Sequence, residues 1–201
     1  RDGIVRQYPV YRDHFGWRVP SLPAKVGEVL GWKNPMEPEV YLNWRGKFGA
    51  FRSVRFSDVF EDFLRRDRQR ATDEFTNKIV IIGSTASALF DSKPTPMEKI
   101  HPGVEILATA IGNIKNGDWI TQAKNPWLFT ALALGLIWVT ALAFLTGVKR
   151  KAIDMVFAGS QVGLMAVTFA SLNLTTYYLD LTAPITAGLI YFSLARVYAY
   201  A

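Results

Sequence analysis

Between Ser84 and Pro102 the chain gathers Ser84, Thr85, Ser87, Asp91, Lys93, Thr95, Glu98 and His101 in one segment. Hydroxyls, carboxylates, an amine and an imidazole so close in sequence could hold a polar ligand through hydrogen bonds and charge. The spacing excludes several other chemistries. Gly83-Ser84-Thr85-Ala86 matches neither G-x-x-x-x-G-K-[ST] nor G-x-G-x-x-G, so it is not a phosphate loop. The absence of cysteine removes disulfides, thiol catalysis and thiolate zinc sites. His14 and His101 stand far apart with no histidine-rich cluster at ligand spacing, and neither a metal nor another cofactor is expected. No pair of acids and no Ser–His–Asp set can be assigned, so no catalytic residue is named. Structural roles stay open as well: Ser84 and Thr85 can cap backbone groups, Asp91 can close an Asx turn, and Pro94 with Pro96 can stiffen the loop. His101, directly before Pro102, reads as a loop residue.

Those residues depend on the elements around them. Lys78 to Ile82 (Lys-Ile-Val-Ile-Ile) is apolar on both faces, as expected of a central strand in a covered sheet, and Gly83 ends it. The loop then leaves the carboxyl end of that strand, where open α/β sheets place ligand sites. Gly103 to Asn116 reads as an amphipathic helix with Val104, Leu107, Ile111 and Ile114 on one stripe, stopped by Asn116-Gly117. Glu105 falls in its first turn, where negative charge suits the helix dipole. Upstream, Asp2 to Tyr11 reads as a strand or hairpin edge, and Ser21 caps a short helix through Leu30. Val40 to Trp44 is β-branched and aromatic, hence a strand. Ser57 caps a helix to about Arg66, with Val59, Phe60, Phe63 and Leu64 as its apolar face. Arg65, Arg66, Arg68 and Arg70 gather at its end, where cations suit the dipole; an anion site is the alternative. Strands alternating with helices make this an α/β domain.

Charge divides the chain. Residues 1–125 carry 19 Lys/Arg and 15 Asp/Glu, against four and two in residues 126–201, so a soluble domain is joined to an apolar tail. The resulting excess, spread over groups of both signs, is not the concentrated basic face that nucleic acid needs. Trp127 to Gly147 runs without a charge and is roughly 31 Å long as a helix, close to the ~30 Å hydrocarbon core. Ala152 to Leu172 is a second such run with Asp154 at its start. Leu181 to Ala195 is a third, extended to spanning length by Tyr177, Tyr178, Tyr198 and Tyr200. The expected spans are about 127–147, 152–172 and 178–199, a three-helix transmembrane bundle surrounded by membrane lipid.

The connections orient those spans. Val148-Lys149-Arg150-Lys151 holds three positive charges and Asn173-Leu174-Thr175-Thr176 none. Short basic loops stay in the cytoplasm, which puts loop 148–151 and the C-terminus inside and residues 1–125 outside. Trp119 and Trp127 would then anchor the outer interface. Asp154 and Asp180 at span ends, with Gln161, are too few polar groups for an ion or substrate pathway. Gly159 with Gly163, and Ala131 with Gly135, repeat small-x-x-x-small spacing, which suits packing within the bundle or dimerisation. A chain that opens at Arg1 without a leader and stops at Ala201 after the third span reads as an internal piece of a longer protein.

A family pattern runs through these segments. Tyr41-Leu-Asn-Trp-Arg-Gly46, Val54-Arg-Phe-Ser-Asp-Val59, Lys78-Ile-Val-Ile-Ile-Gly-Ser-Thr-Ala86 with Asp91 and Thr95-Pro96, Pro102-Gly-Val-Glu-Ile106 and Asn116-Gly117 resemble the CHASE domain of the second class, a cyclase- and histidine-kinase-associated sensory extracellular domain. Asp2-Gly-Ile-Val-Arg6 and Pro20-Ser21-Leu22 resemble the middle of that domain. Order and spacing carry the resemblance more than any single motif. It implies a bacterial receptor in the plasma membrane, with the C-terminal part of its sensor at 1–125, three membrane helices at 126–201 and a cytoplasmic output module beyond. Such modules include adenylate or guanylate cyclases, histidine kinases, serine/threonine kinases and diguanylate cyclases, and they imply a homodimer. The family supplies no agreed ligand.

Three functions follow in order of preference. The first is a sensor with its transmembrane transmitter, itself no enzyme, with Ser84, Thr85, Asp91, Thr95 and Glu105 near the ligand as polar groups at the strand end. The second is a membrane-anchored scaffold that binds a partner outside. A membrane-bound α/β enzyme comes last, because acid, base and nucleophile cannot be assigned.

Overall fold

The computed structural model describes residues 2–85, 91–122 and 125–200. It forms two compact units, residues 1–119 and 120–201. In chain order the first holds β1 (Gln7–Pro9), β2 (Tyr11–His14), β3 (Trp17–Pro20), α1 (Leu22–Val29), β4 (Glu39–Tyr41), α2 (Phe56–Leu64), β5 (Ser92–Lys93), β6 (His101–Pro102) and α3 (Gly103–Asn116). The content is mixed α and β, but these strands pair only in twos: β1 with β4, β2 with β3, and β5 with β6, each antiparallel.

The core forms on α3. Val10, Ala24 and Val40 pack with Ile114, while Leu42 packs with Ile106 and Ala110. Val40, Leu42 and the half-buried Trp44 recur at every second residue, the period that turns one face of an extended segment inward. The expected strand to Trp44 stops at Tyr41 for a specific reason. Leu42 N still donates to Arg6 O at 2.9 Å, but the Asn113 side chain then replaces the ladder. Its Oδ1 accepts from Asn43 N at 2.9 Å and its Nδ2 donates to Asn43 O at 3.0 Å. The end of α3 is as expected: Gly117 takes φ 66° and its N–H bonds back into the last turn. The buried stripe, however, is Ile106, Ala110, Ile111 and Ile114, with Val104 and Leu107 only half-buried.

Other expectations are corrected. Residues 78–82 make no ladder with any described residue, and Ile79, Val80 and Ile82 are exposed. A continuous apolar run gives a central strand only where partners flank it, and no described segment does. Tyr11 to Pro20 folds into the β2–β3 hairpin across Phe15 and Gly16, both at positive φ; Phe-Gly lacks the usual Asn-Gly or Asp-Gly signal. Helix α1 forms, yet the Ser21 hydroxyl is buried without a partner and caps nothing. Helix α2 starts at Phe56, so Ser57 lies inside it, and Arg55 stands at the cap. Its phenylalanines are exposed and its buried residue is Asp62, whose carboxylate accepts from Gln69 N (2.7 Å) and Arg70 N (3.2 Å). A returning chain segment therefore satisfies α2 at its polar face. Only Arg65 sits at the helix end; Arg68 lies over the Phe63 ring and Arg70 pairs with Glu74.

The second unit holds β7 (Thr121–Gln122), α4 (Pro126–Leu145), α5 (Arg150–Leu174), β8 (Tyr177–Tyr178) and α6 (Thr182–Tyr200). Two stretches, Trp127–Leu145 and Arg150–Leu174, are long and apolar enough to cross a membrane. The third, α6, falls short of that mark among the described residues, with Arg196 and Pro184 in its sequence. Tyr177 and Tyr178 do not extend it, because they pair in parallel with Thr121 and Gln122. Trp119, expected at an interface, packs instead on the Val10–Ile114 cluster of the first unit. The Phe157 and Phe192 rings stack at 4.1 Å and Arg196 donates to Asp154 at 3.0 Å, joining α5 to α6. Here the close glycine is Gly188, where a Cβ would lie 3.1 Å from Gln161 Nε2; Gly135, Gly159 and Gly163 face open space.

Candidate functional site

The start of α3 is where the polar loop returns. Gly83 runs so close to α3 that a Cβ there would come within 2.6 Å of Val104 Cγ2. Ser84 follows, half-buried, and Thr85 is exposed. Ser87 lies outside the described residues, as do Ala86 and the rest of 86–90. Asp91 is exposed; its carbonyl accepts from Gly103 N at 2.7 Å, and its carboxylate lies where a Gly103 side chain would begin. A carboxylate there complements the amino end of the helix. Ser92 and Lys93 pair with Pro102 and His101, which closes residues 91–102 into a loop.

Inside that loop Thr95 is buried and its polar atoms are used locally. Thr95 N and Oγ1 donate to Glu98 O at 2.9 and 3.2 Å, and Oγ1 accepts from Met97 N and Glu98 N. Pro94 O accepts from Val5 N at 2.8 Å, tying the loop to the start of the chain. Thr95 is therefore a frame residue. Glu105 is buried too: Oε1 accepts from Gly49 N at 2.9 Å, and Oε2 lies 3.8 Å from His101 Nε2. Its place in the first helical turn is as expected, but the side chain points inward.

Among the expected residues, Asp91, Thr95 and Glu105 share this corner, and Gly83 brings Ser84 beside it; Thr85 faces solvent. The residue that sequence reasoning passed over is His101. It is 1% exposed, with Nδ1 2.6 Å from Glu98 Oε1 and its ring edge-on to Trp44. Glu98 Oε1 also accepts from Phe48 N at 2.8 Å. A signal existed in the spacing, since Glu98, His101 and Glu105 are three and four residues apart. That spacing brings side chains together on a helix; here a turn and a helix start do so.

A concavity elsewhere in the first unit is lined by Arg52, Gln69, Arg70, Ala71, Glu74 and Lys78. Its cations are engaged internally. Arg70 Nε and Nη2 donate to the Glu74 carboxylate at 2.7 Å each, Arg52 Nη2 donates to it at 3.1 Å, and Lys78 Nζ donates to Glu74 O at 2.6 Å. The Arg70 guanidinium holds the Glu74 carboxyl below its usual range. Among the described residues no group of histidines and acids could hold a metal ion.

Comparison with known proteins gives one result. The family model described as the CHASE2 domain matches residues 1–148. No curated protein and no solved structure matches the chain.

Proposed function

Since the chain belongs to the CHASE2 domain family, we propose that its first 125 residues are the extracytoplasmic sensor of a bacterial receptor and that the helices after them carry the signal inward. CHASE2 domains are extracellular sensor domains of signalling receptors, sensory and not catalytic. The observation that carries the reading is the extent of the match. Residues 1–148 run through the mixed α/β unit and the whole of α4 to the edge of the basic loop. A sensor and an apolar helix that belong to one family unit suit a receptor better than a free-standing binding protein.

The finer features rest on physical argument. The charges of Lys149, Arg150 and Lys151 favour the cytoplasmic side for the loop before α5. With α6 as a third crossing, the chain ends inside, positioned to act on an output module such as a nucleotide cyclase or a protein kinase. We take the receptor to be a homodimer in an inner membrane. Ser84, Thr85 and Asp91 present groups to a ligand from the rim, while Thr95 and Glu105 hold the frame.

Sidedness tests the whole reading. The cysteine-free chain accepts single reporters at the exposed positions Lys99→Cys and Val148→Cys. In intact cells a membrane-impermeant maleimide should label the first and spare the second. Labelling at position 148 alone would place the α/β unit in the cytoplasm and end the sensor proposal.

A further inference from the structure

One buried ionisable group is not used by the reading above. His101 is 1% exposed and lies between two carboxylates. Nδ1 stands 2.6 Å from Glu98 Oε1, and Nε2 stands 3.8 Å from Glu105 Oε2. Glu105 Oε2 is itself buried and meets no protein donor. Lys93, opposite His101 on β5, is exposed, and Trp44 covers the ring with an uncharged edge. The charged groups that face the imidazole among the described residues are thus Glu98, from the loop, and Glu105, from α3.

Both carboxylates also hold one turn. Glu98 accepts from Phe48 N at 2.8 Å and Glu105 from Gly49 N at 2.9 Å. These bonds fasten residues 45–50 to the start of α3, beside the Asp91 rim. A neutral imidazole donates from one nitrogen and offers a lone pair on the other. With Nδ1 donating to Glu98, the Nε2 lone pair faces a buried carboxylate oxygen that has no donor, which is unfavourable. A proton on Nε2 turns that face into a charge-assisted contact between the imidazolium and Glu105.

We propose that the Glu98–His101–Glu105 node is a proton-binding site whose occupancy sets how firmly the 45–50 turn is held against α3. Uptake of one proton from solvent at Nε2 draws both carboxylates onto one ring and locks the turn; its release loosens the turn. The chemistry of the node stands by itself. Its role as a stimulus rests on the sensor reading, in which acidification outside the cell becomes a signal.

The test uses the full chain in lipid nanodiscs with isotope-labelled histidine. The sequence holds two histidines, and the exposed His14 serves as the reference ring. Ring-nitrogen shifts report the protonation state of His101 across an acidification series. Over the same range, amide exchange protection at Phe48 and Gly49, corrected for intrinsic rates, should rise about tenfold. Glu105→Gln keeps the side-chain shape and removes the facing charge, so it should flatten the rise in protection. His101→Gln should abolish that rise. A His101 ring that keeps one protonation state throughout would overturn the proposal, as would protection that ignores that state or a rise in protection indifferent to Glu105→Gln. Failure of the sensor reading looks different: the node titrates as described, while the maleimide reports position 99 inside the cell.

Discussion

Polar side chains behave in opposite ways in the two units. In residues 1–119 they reach across the fold. Asn113 clasps Asn43, Asp62 holds the backbone of Gln69 and Arg70, and Glu98 and Glu105 hold Phe48 and Gly49. In residues 120–201 hydroxyls turn back on their own helices: Thr140 to Leu136 O at 2.6 Å, Ser160 to Phe157 O at 2.7 Å, Thr168 to Leu164 O at 3.0 Å and Ser193 to Leu189 O at 2.8 Å. Apolar residues follow the reverse pattern. Leu42 and Ile106 are buried in the first unit, although Phe56, Phe63 and Ile82 there are exposed, and on the helices of the second Trp138, Leu145 and Val156 face outward. In the first unit polar groups weld distant segments. Hydroxyls of the second unit's helices are satisfied within each helix, and those helices leave apolar surface for another medium, which suits lipid.

The largest expected effect tests the weld. Asn113 is 1% exposed, and its amide serves both backbone groups of Asn43. Asn113→Leu would strand a half-buried N–H and C=O, so the first unit should lose about 3 kcal/mol of stability. Denaturant titration with a probe confined to residues 1–119 measures this. A loss under about 1 kcal/mol would mean that the segment after Tyr41 holds without the clasp.

That weld also shows what a sequence reader can and cannot see. The limits of α3, its glycine stop and the apolar helices were legible because each rests on local periodicity or a local breaker. The strand at 78–82 was misread because its burial depends on neighbours, and hydropathy alone cannot supply them. Phenylalanines on α2 misled for a related reason: an amphipathic pattern marks a face but not whether anything covers it. Of the candidate site, Asp91, Thr95 and Glu105 were named as polar groups at the end of that strand, and they gather instead beside the start of α3, where Gly103, His101 and Glu98 meet them. His101 was passed over because its meaning lies in Glu98, Glu105, Trp44 and the 45–50 turn, whose Phe48 lies 50 residues before Glu98 and meets it only through a backbone N–H.

A smaller effect is expected at the rim. A Cβ at Gly103 would collide with the Asp91 carboxylate, the mobile end of an exposed side chain. Gly103→Ala should therefore cost about 1 kcal/mol, with overpacking relieved by rotation of Asp91. The double variant with Asp91→Ala should recover most of the loss, since contacting residues are not additive. A double variant as unstable as the sum of the two would place the strain in the backbone at the start of α3 and not at the carboxylate.

The second unit offers the complementary test. Gln161 is 6% exposed against α6, and neither atom of its amide meets a protein partner. If the helices tolerate polar groups only when these are self-satisfied, Gln161→Leu should stabilise them by about 1 kcal/mol, removing an unpaired polar group from an apolar contact. Thermal unfolding in nanodiscs, followed by a reporter on α5, gives the sign. Destabilisation would show that the amide is held, and the contrast between the units would weaken.

The smallest effect concerns ion pairing on the first unit's surface. The Arg70 guanidinium bonds the Glu74 carboxylate and lowers its pKa from the ordinary value of 4.5. A carboxyl with a lowered folded pKa contributes stability that is fully present above the unfolded value and lost as pH falls through the folded one. The first unit should accordingly weaken on acidification below pH 4.5, and Glu74→Gln should make that limb shallower by losing the same small contribution at neutral pH. Unfolding of residues 120–201, read by the α5 reporter, should not respond to Glu74→Gln. An acid limb of unchanged slope in the variant would assign the unit's acid sensitivity to other carboxylates.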